Sequence, residues 1–241
     1  MKTKSVFEKI YEVYDYTWNK TVSTIWTEWK EALERRDIRI QLGGLFVVIT
    51  FYLWALPGFF RYIQQRQGIV LNDPILNHLP ALDLSVYCFG ILYISVISTI
   101  LYLLVRPDRM IIGLIGYVLL LSLRLLTIYL IPLDPPSKII PLEDPFIDNL
   151  FYANMHITKD LFFSGHVSTI FILYLSVESP RLRQFLLGGC VFIAVFLLFQ
   201  HVHYTLDIVA APLFAWAAYQ SAEQIYQKMR QLFGQPREAV A

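Results

Sequence analysis

Charge is what this sequence has least of. Asp, Glu, Lys and Arg make up 16% of its 241 residues, where soluble domains carry about a quarter. Hydrophobic residues make up 56%. That balance argues against a water-soluble globule and points to a bilayer. Cysteine is scarce as well: Cys88 and Cys190 both fall within apolar runs, so no disulfide framework is implied and both read as small buried hydrophobes. The net charge is +1 and no basic block stands out, so nucleic acid is not expected as a partner. A secretory signal is not expected either. A charged stretch of nearly forty residues precedes the first apolar run, and no small-residue cleavage site follows it. There is no internal repeat and no low-complexity tract.

What is present begins with an amphipathic stretch over 1–38. Phe7, Tyr11, Tyr14, Trp18, Val22, Ile25, Trp29 and Leu33 recur every three or four positions, while Lys2, Lys9, Glu12, Lys20, Glu28 and Lys30 lie between them. This spacing predicts one apolar helical face. Its aromatic rings suit the headgroup boundary, so an interfacial helix is expected, with packing on the rest of the protein as the alternative.

Six apolar segments follow, near 40–60, 84–105, 110–132, 163–179, 185–202 and 204–226. Each approaches the twenty or so helical residues needed to cross a hydrocarbon core about 30 Å thick. The expected fold is therefore all-α: a polytopic membrane domain of about six transmembrane helices over 39–228, preceded by the interfacial helix and followed by a tail over 229–241. The distribution of Lys and Arg orients it. Fifteen of the twenty fall in the N-terminal segment, the 106–109 and 179–184 connections and the C-terminal end from Lys228 onward. Arg61, Arg66, Lys138 and Lys159 fall on the other side, and Arg124 lies inside the third span. The positive-inside rule then expects both termini in the cytoplasm and the longer loops at 61–83 and 133–162 on the outer face, periplasmic, extracellular or luminal.

Polar residues inside apolar segments are the informative ones, because a charge at a helix centre costs about 2.5–3.5 kcal/mol. Arg124, His166, His203 and Asp207 stand out. Ser164-Gly165-His166 opens the fourth span. A helix start offers unpaired N–H groups to an anion, Gly165 allows close backbone approach, and Ser164 either caps the helix or binds an oxygen. An ordinary cap followed by an interfacial histidine is the plainer reading. At the start of the sixth span, His203 and Asp207 are four apart and so share a helical face. The carboxylate can fix the imidazole tautomer and make the other ring nitrogen a better nucleophile. A structural His–Asp pair is the plainer reading there.

The two motifs support each other. The fourth span enters from the outer face and the fifth returns to it, so His166 and His203 fall at one face. Arg124, roughly fourteen residues from the cytoplasmic end of its span, falls in the outer half. A nucleophile, an acid and a fixed cation near one interface suit phosphoryl chemistry. Lys159, Asp160 and His201 lie close in sequence and are further candidates to contact a headgroup amine or phosphate. Glu143, Asp144 and Asp148 read as the wet face of the outer loop, and His78 and His156 have no evident partner.

At these residues the sequence resembles the sphingomyelin synthase family, within the type 2 phosphatidic acid phosphatase superfamily. The likeness is carried by Phe163-Ser164-Gly165-His166 and His203-Tyr204-Thr205-Leu206-Asp207, with Asp160, Ser179-Pro180-Arg181, His201, and Leu123-Arg124 with Tyr129. It covers roughly 115–225. The resemblance implies that His203 attacks phosphorus to form a phosphohistidine and that Asp207 activates it. It implies that His166 protonates the leaving alcohol and then deprotonates the incoming one. The broader phosphatase pattern is not matched. No Lys followed at fixed spacing by Arg-Pro stands in the expected place before Ser164, and Phe196-Leu197 stands where a Ser-Arg pair would precede the second histidine. With fewer cations, a singly charged phosphodiester is favoured over a phosphomonoester dianion, unless Arg124 or Lys159 substitutes.

The expected function is a lipid phosphotransferase that moves a phospho-headgroup from a glycerophospholipid to ceramide or diacylglycerol. The alternative is a lipid phosphate phosphatase or phospholipase C-like hydrolase with the same half-reaction. A zinc site of His166, His201, His203 and Asp207 is a third reading. It is disfavoured because His201 and His203 on one helix would point about 200° apart. No metal or other cofactor is expected. A scaffold or transporter is a fourth reading, for which no broken-helix repeat speaks. Oligomeric state is left open.

Overall fold

The computed structural model describes residues 21–142 and 157–234. Over these the chain is helical, and a single parallel bridge between Ile69 and Leu133 is the strand-like pairing among them. In order the helices are α1 over residues 21–34, α2 Arg36–Gln65, α3 Pro74–His78, α4 Ser85–Leu103, α5 Pro107–Leu130, α6 Gly165–Ser176, α7 Pro180–Phe199 and α8 Thr205–Phe233. The first twenty residues of the expected interfacial helix, Glu143, Asp144, Asp148 and His156 of the loop, and the tail from 235 lie outside the described residues. The part of the N-terminal stretch that is described touches the bundle: Trp29 Nε1 donates to the Leu104 carbonyl at 2.8 Å. Trp26 on the same helix is exposed.

Four helices, α2, α4, α5 and α7, are long and apolar enough to cross a bilayer. The two at the fourth and sixth expected spans differ. The fourth, expected over 163–179, is α6, apolar but of 12 residues, about 18 Å long. It stops at Ser176, where Val177 turns extended ahead of Pro180. The sixth, expected over 204–226, is the 29-residue α8, whose second half carries Gln220, Glu223, Gln224, Gln227, Lys228 and Arg230. Local chemistry explains the helix starts. Pro107 and Pro180 occupy first positions, where a missing N–H costs nothing and φ is already helical.

The core is built by α5, α6 and α8, which pack on one another. Helices in lipid gain little from hydrophobicity alone, so small residues that let backbones approach do the work. Ala211, Ala215, Ala218 and Ala222 form such a stripe on α8, all buried. Gly116 of α5 faces it: a β-carbon there would lie 3.1 Å from Ile172 Cδ1 and 3.6 Å from Ala222 Cβ. The outward surfaces are apolar instead. Phe46, Trp54, Val86 and Leu213 are all exposed, as the lipid-facing side of a membrane helix would be.

Polar contacts gather at the two ends of the bundle. At one end Arg35 pairs with Asp37 and Asp108, at 2.8 and 2.7 Å, and donates to Tyr226 at 3.0 Å. Beside it Arg109 joins Glu178 and Glu223. The α4–α5 and α6–α7 connections therefore share an end with the start of α2 and the second half of α8. The longer loops meet at the opposite end. Ile69 N donates to Pro132 O at 2.9 Å, Leu82 N to Phe199 O at 2.8 Å and Ile140 N to Gln200 O at 3.0 Å. The His203 turn sits among them.

Candidate functional site

The first turn of α8 carries the central pair. Asp207 is the third helical residue, and its Oδ2 reaches back to accept the Tyr204 N–H at 2.9 Å. This is the carboxylate half of a capping box. The same oxygen lies 3.4 Å from His203 Nδ1. His203 is not on the helix: α7 ends at Phe199 and a turn over 200–204 precedes α8. The pairing expected from a shared helical face arises because Asp207 reaches back past the helix start. Both side chains are buried, and Asp207 Oδ1 has no hydrogen-bond partner. With Nδ1 turned to Asp207, Nε2 is the ring nitrogen left for chemistry.

The start of α6 abuts this turn. Ser164 N donates to the Asp207 carbonyl at 3.0 Å, which joins the two motifs through the backbone. Of the two roles expected for the Ser164 side chain, the cap is not made. It forms no capping hydrogen bond, and its Oγ is buried without a partner. Gly165 does allow a close approach, by Arg124: a β-carbon at Gly165 would lie 2.8 Å from the guanidinium carbon. Arg124 donates to the carbonyls of Phe163 and Asp160. Its Nη2 lies 2.7 Å from Asp160 Oδ1, an ion pair rather than an aligned hydrogen bond. Arg124 is six residues from the end of α5, about 9 Å along the axis, so a buried cation stands near the loop end as expected.

One cavity of about 700 Å³ joins these groups. Arg124, Asp160, Gly165, His166, His203 and Thr158 line its polar mouth, and His166 lies edge-on to Phe89 with ring centroids 5.8 Å apart. The cavity then runs between α2, α4 and α5 past Leu56, Leu53, Leu92 and Leu121 to Leu114 and Tyr117. Ten residues separate Leu114 from Arg124, about 15 Å along α5. A charged mouth with a long apolar extension suits a ligand that has a polar head and an acyl chain. Arg124 is the one Lys or Arg among the described lining residues.

Two expected contacts are not brought to this cavity. Lys159 turns away: its Nζ pairs with Asp134 at 2.7 Å and donates to Arg66 O at 2.6 Å. His201 and His203 also part company, through the turn rather than through helical spacing. His201 adopts φ 55° and its Nε2 lies 3.2 Å from Leu79 O. It lines a separate pocket of about 290 Å³ with Tyr204, Asp73 and Lys138. Among the described residues no three His, Cys, Asp or Glu side chains converge as metal ligands.

Other residues hold the site without having stood out in the sequence. Tyr204 Oη donates to Asp134 O at 2.8 Å and accepts from Leu71 N at 3.2 Å. Gln200 accepts from Leu84 N at 3.1 Å and donates to Ser85 Oγ at 2.7 Å. Asp73 binds two helix starts at once. The Lys159 ammonium, with the Gly68 N–H, holds the Asp134 carboxyl below its ordinary pKa against a desolvation cost. Of these, Asp73-Pro74 carries a readable signal, a cap residue followed by proline at the first helical position. Comparison with family models, curated proteins and solved structures finds no match to this chain.

Proposed function

We propose that this chain is a six-span integral membrane lipid phosphotransferase of the sphingomyelin synthase type. The observation that carries the reading is the single cavity in which His203, backed by Asp207, and His166 share a mouth with Arg124 above an apolar channel. His203 Nε2 attacks the phosphorus of a glycerophospholipid. A P–N bond forms, the P–O bond to diacylglycerol breaks, and His166 gives its proton to the departing oxygen. A lipid alcohol, ceramide or diacylglycerol, then loses its hydroxyl proton to His166 and attacks phosphorus. The P–N bond breaks and His203 returns to its neutral form. Arg124 stabilises the charge that grows on the phosphoryl oxygens. A single lining cation, with Lys159 engaged elsewhere, favours the monoanionic diester over a phosphomonoester.

Hydrolysis is the second reading. The Asp160 side chain at the mouth is 28% exposed, so water has a path to the same intermediate. In either case the loop end carrying His203 faces the outer side and both termini face the cytoplasm. The 15-to-4 division of Lys and Arg between the two sides expected from the sequence supports this orientation.

Turnover by purified protein in mixed micelles of phosphatidylethanolamine or phosphatidylcholine, with and without ceramide, tests the reading by mass spectrometry. A phospho-headgroup ceramide that forms with intact protein and not with His203→Ala is the expected result. Diacylglycerol and free phosphorylated headgroup formed regardless of ceramide would establish the hydrolase. Cleavage of phosphatidic acid alone would overturn the charge argument.

A further inference from the structure

Asp73 lies 132 residues from Thr205 in sequence and makes no contact with the cavity, yet its carboxylate grips the helix that carries the His203–Asp207 pair. Its Oδ1 accepts from the N–H groups of Ile75 and Leu76 at 3.1 and 3.2 Å, capping α3. The same atom accepts from Thr205 Oγ1 at 3.1 Å, and Oδ2 accepts the Thr205 N–H at 2.6 Å. Thr205 is the first residue of α8, two after His203 and two before Asp207. Two residues upstream of Asp73, Leu71 N holds Tyr204 Oη. One short loop therefore grips the start of α8 at three points. Burial disfavours the Asp73 carboxylate, but the donors from Thr205, Leu76 and Ile75 outweigh it and hold the group below its ordinary pKa.

The consequence for the pair follows from hydrogen-bond accounting. The start of α8 presents the N–H groups of Tyr204 and Thr205, neither of which has an intrahelical acceptor. Asp207 satisfies the first and Asp73 the second. Without Asp73, the Thr205 N–H is left with an unmet demand in a part-buried turn. Asp207 is the other carboxylate on that turn. Its Oδ1 has no partner; turning that oxygen to the Thr205 N–H rotates the carboxylate, and of the two contacts its Oδ2 makes, to Tyr204 N at 2.9 Å and to His203 at 3.4 Å, the longer one to His203 is lost first.

We propose that Asp73 is a positioning residue: by capping α3 and α8 together it keeps Asp207 free to hold His203 in the Nδ1–H tautomer. The proposal rests on the phosphotransfer reading for why that tautomer matters, but the coupling itself can be read without turnover. The full-length protein is labelled with ¹⁵N-histidine in micelles, and the His203 ring signals are assigned by their loss in His203→Gln. Asp73→Asn is expected to move these signals from one tautomer towards a mixture and to lower kcat about 10- to 100-fold, the scale for groups that orient a reacting ligand, with KM little changed. If Asp73→Asn does not fold, Asp73→Ser, whose one side-chain oxygen can cap α3 but cannot also take the Thr205 N–H, decides by the same two readouts. Unchanged His203 signals and kcat in a folded variant overturn the proposal. A tautomer shift in a protein that turns over no lipid supports the coupling and removes the phosphotransfer reading. Turnover in wild type with no shift in the variant does the reverse.

Discussion

Arg124 and Gly165 are 41 residues apart in sequence on two different helices, and they occupy adjoining space so closely that a β-carbon on Gly165 would sit 2.8 Å from the Arg124 guanidinium carbon. The glycine here serves a side chain and not a turn. It leaves room for a buried cation against the start of α6, between the carbonyls of Asp160 and Phe163.

Gly165→Ala is therefore expected to push the guanidinium out of place while α6 remains helical. Lipid turnover should fall by about 10²–10³, the loss that follows removal of one charge-stabilising donor. Helicity by circular dichroism should be unchanged. Full activity in this variant would show that Arg124 needs no fixed position.

Asp207→Asn is expected to lower kcat by on the order of 10⁴, the effect of losing the tautomer-setting carboxylate from a His–Asp pair. His203→Ala should abolish formation of an acid-labile phosphoprotein altogether. Rapid quench after mixing with radiolabelled phospholipid reads both.

The loop end should lose stability in acid. The Asp134 carboxyl is held below its ordinary value of 3.8, chiefly by Lys159. Its contribution is present in full above that value and is lost as pH falls through the lower folded value. Melting temperatures in detergent should be level at neutral pH and decline below the ordinary carboxylate range. Asp134→Asn should melt lower at neutral pH, with a shallower decline. Equal slopes for the two proteins would remove Asp134 from this account.

Gly116→Leu should wedge α5 away from α6 and α8, because even a β-carbon there would meet Ile172 and Ala222. Overpacking of this kind costs about 1–3 kcal/mol. Gly43→Leu is the control, since nothing lies within 4 Å of a β-carbon there. Thermal unfolding should show a lowered midpoint for the first and no change for the second.

Topology is open to labelling. Ser137→Cys, on the loop end, should react with an impermeant maleimide added outside intact cells. Ser179→Cys, on the opposite end, should react only after permeabilisation. The native Cys88 and Cys190 are buried and give a low background. The reverse pattern would invert the orientation.

Much was legible in the sequence because the signals are local or nearly so. Apolar runs interrupted by proline and charge mark the helices, since helix length in a bilayer depends on consecutive residues. His203 and Asp207 are four apart, so their meeting needs only the first turn of α8. Arg124 and His166 were legible as polar groups where such groups are costly, and Asp160 only as a loop residue close to them in sequence; the structure brings all three to one cavity. Where helices end was less legible. The 12-residue α6 reads in sequence as a full span, because the residues past Ser176 stay apolar for one residue more while the backbone turns extended towards Pro180.

Which neighbours a side chain meets across the fold was decided by tertiary structure alone. Lys159 stands next to Asp160 in sequence, but its ammonium is drawn to Asp134 and Arg66 O on other loops. His201 is two residues from His203 but faces another pocket, because the backbone at 201 takes a left-handed turn. Asp73 and Thr205 carry no mark of each other. Their bond exists because two helix starts are folded to one place, and a carboxylate with two oxygens can satisfy both. Local sequence sets a helix and its caps through backbone geometry. Which side chains share a cavity depends on contacts over a hundred residues apart, and no single segment encodes them.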